Sequence, residues 1–166
     1  MVKTKQMLMA VGLLLAGLIV FLLFYQSDTA AVKKRFAFLA DQFSKETSEN
    51  SLLGAAKAKH IGLMFADTCR VSLPGYDVDR TFERADVQPY VMMARSRYSE
   101  IAVEFYDFDI VFPQDGLAEV DVTALVRATT TVGEAIQEIH EMVFTLEKGE
   151  EEWLFTNIES LTVLER

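Results

Sequence analysis

Two histidines, His60 and His140, are the side chains best suited to moving protons near neutral pH in this sequence. His60 recurs with Leu52, Leu53, Ala56, Leu63 and Met64 at helical spacing, so it projects from an apolar helix face. His140 alternates with Ile136, Met142, Phe144 and Leu146, which places it on an apolar strand face. Burial on such faces would set an imidazole pKa by desolvation, and the two rings could meet across a cavity. The plainer alternative is that each is a core or interface histidine holding one hydrogen bond. A metal would need a third ligand such as Asp67 or Cys69, and no ligand motif supports one. There is no glycine-rich phosphate loop, nucleophile elbow or metal-binding helix motif, so neither metal nor cofactor is expected. Cys69 is the single cysteine, which excludes an intrachain disulfide and a thiolate cluster. The acids Asp107, Asp109, Glu119 and Asp121 alternate along strands and are expected in solvent.

The elements that must position these residues begin behind an uncharged run, Met7 to Tyr25. At about 1.5 Å per residue the run reaches roughly 28 Å as a helix, close to the roughly 30 Å hydrocarbon core of a bilayer. It is longer than a secretory signal core, and cleavage after Ala30 or Ala31 would put Asp28 or Thr29 at the −3 position. A retained single-pass anchor over residues 1–26 is therefore expected, followed by one domain over 27–166. Gly12 and Ala16 form a small-xxx-small pair that could seat a second helix, although plain lipid-facing packing explains them as well. Lys3 and Lys5 stand against Lys33, Lys34 and Arg35, so the charge bias across the span is nearly balanced. A short tail ahead of a large domain favours an extracytoplasmic domain at the inner or plasma membrane. Lys33, Lys34 and Arg35 could grip anionic headgroups at about 1 kcal/mol each, or form a solvated helix face. The net charge of −9 repels phosphate backbones, so nucleic acid is not an expected partner.

Ser27 or Asp28 can cap a helix whose apolar positions are Val32, Phe36, Leu39, Ala40 and Phe43. A second, strongly apolar helix is expected from Leu52 to Ala66, deep in the domain. Cys69 to Leu73 and Val78 to Phe82 read as short strands around Pro74-Gly75. Asp86 can cap a third helix with Pro89 in its first turn, running to Tyr98. The period then changes to two. Glu100 to Phe112 alternates with a slip at Tyr106, which predicts a bulge, and Pro113-Gln114-Asp115-Gly116 predicts a hairpin turn. Ala118 to Thr130, Ala135 to Lys148 and Trp153 to Leu164 complete the alternating strands. The fold class is α+β, with three helices packed on a strongly curved antiparallel sheet behind the transmembrane helix.

Three local patterns resemble the nuclear transport factor 2-like superfamily of cone-shaped domains. Met64-Phe65-Ala66-Asp67 with Val71 and Pro74 is similar to the stretch leaving the second helix in ketosteroid isomerase-like and polyketide cyclase-like members. Ala118 to Ala128 after a hairpin turn is the second pattern. Phe144-Thr145-Leu146-Glu147-Lys148, a turn, then Trp153-Leu154-Phe155 and Ile158 resembles the closing hairpin. The resemblance covers roughly residues 28–166. It implies a cone with a pocket, for which His60, Met64, Leu73, Tyr90, His140, Met142 and Phe144 are the lining candidates. It also implies a general-base Asp one residue before the Pro, and here that position is Leu73. A tyrosine on the first helix is replaced by Phe36, Phe38 and Phe43 as candidates, so the oxyanion donors are not evident either. The expected function is a non-enzymatic, membrane-anchored binding or assembly domain in a bacterial envelope complex. It would hold a protein partner, a second copy of itself as a homodimer, or an apolar small molecule. The alternative is a small-molecule isomerase or cyclase-type enzyme using His60.

Overall fold

A computed structural model describes Leu14, Leu15, Ile19 and residues 28–161. The anchor candidates Met7, Gly12, Ala16 and Tyr25 lie outside the described residues. Among the described residues, no helix is long and apolar enough to cross a membrane.

Residues 28–43 form α1, and Val32, Phe36 and Leu39 enter the core from one helical stripe, with Phe43 packed beside them. Asn50 then accepts a hydrogen bond from the Leu53 N–H at 2.9 Å and caps α2, Ser51–Leu63. β1 (Phe65–Leu73), a single 3-10 turn (Pro74–Tyr76) and β2 (Val78–Glu83) follow. Asp77 ends that turn in the left-handed region at φ 58. α3 (Arg84–Ser96) leads into four long strands: β3 (Tyr98–Gln114), β4 (Leu117–Thr130), β5 (Ala135–Lys148) and β6 (Trp153–Ser160). The sheet order is β2-β1-β6-β5-β4-β3.

The fold class holds as α+β, three helices on a curved six-stranded sheet, with one correction. The sheet is mixed, because β6 lies parallel to β1 while every other neighbouring pair is antiparallel. Alternation within a strand reports which face is covered and says nothing of its neighbour's direction. The bulge is where the alternation slips. Tyr106 pairs with Thr123 and Asp109 with Asp121, so one extra residue sits on β3, and Asp107 takes φ 55. That extra residue keeps Phe105 and Phe108 on the same side.

Two helices depart from expectation. The apolar strip Leu52, Leu53, Leu63 of α2 faces solvent, with Leu52 81% and Leu63 57% exposed, and Ala58, Ile61 and Gly62 face inward. Apolar and polar residues are spread round this helix, so periodicity does not choose a face. α3 starts at Arg84 after Glu83, with no side-chain cap, so Asp86 lies in the first turn rather than capping it. Pro89 consequently falls one turn further in than expected and removes one N–H donor there.

Phe36 is the centre of the core. It is fully buried, and its ring meets Phe105, Phe108, Phe144 and Phe155 edge-to-face at 5.2, 5.3, 4.9 and 5.4 Å. A second hub is ionic. Buried Arg95 donates through Nη1 to the carbonyls of Gln42 (2.7 Å), Phe43 (2.7 Å) and Ser44 (3.1 Å) at the end of α1. Its Nη2 pairs with buried Glu49, which also takes Lys57 at 2.9 Å. Burial alone would raise the Glu49 carboxyl, yet hydrogen bonds and charge from Arg95 and Lys57 hold it below the usual carboxylate range.

Phe36→Ala is expected to cost about 3–5 kcal/mol, read as a lower denaturant midpoint. Arg95→Met should cost less, about 1–3 kcal/mol, because it leaves the carbonyls at the end of α1 unmet and Glu49 with Lys57 alone. A depressed folded-state pKa stabilises fully above the ordinary carboxylate value and is lost as pH falls through the folded value. Acid unfolding curves of wild type and Glu49→Gln should therefore converge as pH drops; parallel curves would contradict this role.

Candidate functional site

Strand register fixes which side chains share the covered face of the sheet. Phe144 pairs with Val120 and Ile158, Met142 with Val122 and Ser160, and His140 with Ala124. Val71 pairs with Ile158, so Leu73, two residues on, carries the same face alongside the end of β6. Leu73 thus stands half-buried on the covered face, one sheet row from Ile158, with a side chain that cannot take a proton. Phe144 is core, and Met142 packs against the core from its edge.

Among the described residues β6 ends opposite Met142, and just beyond it the Leu161 N–H donates to the Glu141 carbonyl at 2.8 Å. Tyr76, from the turn after β1, reaches the next covered-face positions of β5. Its hydroxyl donates to Glu138 Oε2 and lies 3.2 Å from His140 Nε2, and that nitrogen is 3.0 Å from the same Glu138 oxygen. Burial, and then the Glu138 carboxylate, push the Tyr76 phenol up to about 12. The hydrogen bond from Tyr76, and then that from His140, hold the Glu138 carboxyl below its ordinary range. This cluster can hold and pass a proton among three groups. His140 and Glu138 were legible as a same-face i, i+2 pair, though only His140 attracts notice in the sequence. Tyr76 comes from a turn, and no local pattern announces it.

His60 is elsewhere. It is exposed on α2, its Nδ1 2.8 Å from Gln42 Oε1, with its ring 6.2 Å from that of Phe38. The structure brings no contact between His60 and His140. His60 and Met64 instead border an outer cleft of about 650 Å³ between α1, the end of α2 and the β5–β6 turn. Tyr90 lies on α3, stacked edge-on to Phe82 at 4.9 Å with the Arg80 guanidinium 4.3 Å from its ring. The seven lining candidates are therefore spread over three places.

Arg35 is buried, donating Nε to the Trp153 carbonyl at 2.7 Å and Nη1 to Glu152, so its charge is turned inward. Burial lowers its pKa against the opposing pull of Glu152, and Nη2 has no hydrogen-bond partner. Helical rotation separates its neighbours. Lys33 sits 5.6 Å over the Phe108 ring and Lys34 lines the cleft. Asp67 is ion-paired with Arg84 at 3.1 Å, and burial pushes the Cys69 thiol up to about 12. Among the described residues no group of three or more His, Cys, Asp and Glu side chains could hold a metal.

No family model matches the chain, and no curated protein does. Solved structures do. A protein assigned as a scytalone dehydratase from Novosphingobium aromaticivorans superposes with a TM-score of 0.66 at 15% identity, over 84% of this chain and 87% of that one. One assigned as a dehydratase of the nuclear transport factor 2-like family from Streptomyces avermitilis gives 0.66 at 10%, over 84% and 99%. One assigned as a calcium/calmodulin dependent protein kinase II association domain from Xanthomonas campestris gives 0.60 at 16%, over 84% and 88%. The chain has the nuclear transport factor 2-like fold. At these identities the likeness carries the fold alone, and the fold hosts unrelated activities.

A raised phenol pKa stabilises the protein fully below the ordinary tyrosine value and is lost as pH rises through the folded value. Spectrophotometric titration should show a tyrosine ionising near 12 that disappears in Tyr76→Phe. An unchanged titration curve in that variant would remove the cluster as described.

Proposed function

We propose that this is a non-catalytic binding or assembly domain, held at a bacterial inner or plasma membrane by the Met7–Tyr25 run as a single-pass anchor. The domain would stand on the extracytoplasmic side. The observation that carries the non-catalytic part is Leu73 on the covered face, at the position where the resemblance calls for a base. Within the run, Leu14, Leu15 and Ile19 are helical and expose their side chains, which suits a lipid environment.

The partner is better sought on the helical side than on the sheet. On the outer sheet face Asp109 stands directly opposite Asp121, and Glu119, Glu141 and Glu159 share that face. A second copy seated there would meet like charge. The exposed Leu52, Leu53, Leu63 and Phe38 offer an apolar surface instead. A protein partner in an envelope complex, or an apolar small molecule, fits that surface.

A second reading is favoured by the Tyr76–Glu138–His140 cluster: a small-molecule enzyme of isomerase or cyclase type, with His140 rather than His60 in contact with the acid. Complementation of a deletion strain with Glu138→Gln and with Leu53→Asp/Leu63→Asp separates the two. Loss of function only in the leucine variant supports binding; loss only in Glu138→Gln supports the enzyme. Alkaline carbonate washing should leave the chain in the membrane pellet, and release into the wash would reject the anchor.

A further inference from the structure

α2 and α3 lie side by side and run in opposite directions. A side chain at Gly62 would meet the Arg84 carbonyl oxygen and the Gln88 nitrogen, each at 3.9 Å. At the other end Glu49, just ahead of α2, pairs with Arg95. The middle of α2 is therefore level with the middle of α3. Each helix buries one face, with Ile61 and Gly62 on α2 and Val87 and Val91 on α3. Away from those faces α2 exposes Leu52, Ala56, Lys59 and Leu63, and α3 exposes Ala85, Pro89, Met92 and Ser96. Both stripes step by four, three and four residues, which reads the same in reverse. That spacing is common to helix faces, so the residue types decide what fits.

A two-fold axis crossing α2 between Ala56 and Lys59 sets the α2 helices of two copies antiparallel. Leu52 then meets Leu63 of the second copy, and small Ala56 leaves room for the stem of Lys59. Since α2 and α3 are level, the same axis crosses α3 between Pro89 and Met92. It places Pro89 against Met92 and Ala85 against Ser96, large on large and small on small. A contact between identical chains requires this self-match. Charge points the same way. The chain carries −9, so two copies repel where acids meet, and neither stripe holds an Asp or Glu. We propose that a second copy of this chain packs on α2 and α3 about that axis, as a weak reversible dimer. The proposal rests on the reading of the helical side as the contact surface. Each helix has 13 residues, so it is about 20 Å long and about 10 Å wide, and the shared face is about 400 Å² per copy. A stable interface uses about 800 Å² per partner, which puts this one in the weak class, with a Kd of about 1–100 μM. Lys59 weakens it further, because it lies about 4.5 Å along the helix from its own image.

Engineered cysteines read the register directly. Cys69 is buried with its thiol pKa pushed up to about 12, so it stays out of mild oxidation. The full chain in detergent micelles is prepared once as Leu52→Cys and once as Leu63→Cys. Mixed and oxidised, the two should form a linked dimer at least about tenfold faster than either alone. Residue 52 faces residue 63 of the second copy but lies about 16 Å along the helix from residue 52 of that copy, too far for a disulfide. In sedimentation, Leu52→Asp/Leu63→Asp should weaken association about tenfold or more with an unchanged unfolding midpoint, and Lys59→Leu should tighten it about threefold. No mixed disulfide, equal linking by the single variants, or aspartate variants that associate as wild type does would each overturn the proposal. Complementation separates this failure from failure of the contact surface. A monomeric wild type whose Leu53→Asp/Leu63→Asp variant loses function rejects the second copy and keeps the surface for another protein. A monomeric wild type whose leucine variant still functions rejects both.

Discussion

The ring of Phe36 is held edge-on by four other phenylalanines, one from each side of the β3 bulge and one each from β5 and β6. Each such contact adds about 0.5–1.5 kcal/mol beyond the area it buries. The geometry therefore requires α1 to lie at one height and one rotation over the sheet. The bulge at Asp107 is part of the same constraint, since without the extra residue Phe105 and Phe108 would face opposite ways. Everything at the periphery, from the cleft to the exposed strip of α2, inherits its placement from this contact.

Two arginines fix α1 at either side of Phe36. Arg35 ties it to the β5–β6 turn through the Trp153 carbonyl and Glu152. Arg95 takes up the carbonyls at its C-terminal end, where the helix dipole also favours a cation. Lys45 then pairs backbone to backbone with Ile101 at 2.8 and 2.9 Å, covering part of the edge strand β3. The polar groups Tyr76, Glu138 and His140 gather just past the described end of β6.

Much of the fold was legible because its signals are local. Strict alternation places Val120, Val122 and Ala124 inside, and the slip at Tyr106 marks the bulge. The direction of β6 beside β1 was not legible, because parallel pairing joins segments far apart in the chain and leaves no mark within either. The buried face of α2, with Ala58, Ile61 and Gly62, was hidden because apolar residues are spread round the helix rather than along one stripe. The site was legible only in part. His140 is conspicuous as one of two histidines, but its partner Tyr76 arrives from a turn far upstream. Arg35 reads as one of three adjacent cations, and only helical rotation shows that it turns inward while Lys34 turns out.

Occupancy of the interior by the Phe36 ring can be tested by ligand-detected NMR with a small apolar probe such as benzene. Wild type should show no saturable binding, while Phe36→Ala, if it retains its fold by circular dichroism, should bind the probe in the space the ring leaves. Saturable binding to wild type that is lost when Leu73 or Met142 is enlarged would mean an open chamber beside Leu73, and would contradict an interior closed by Phe36.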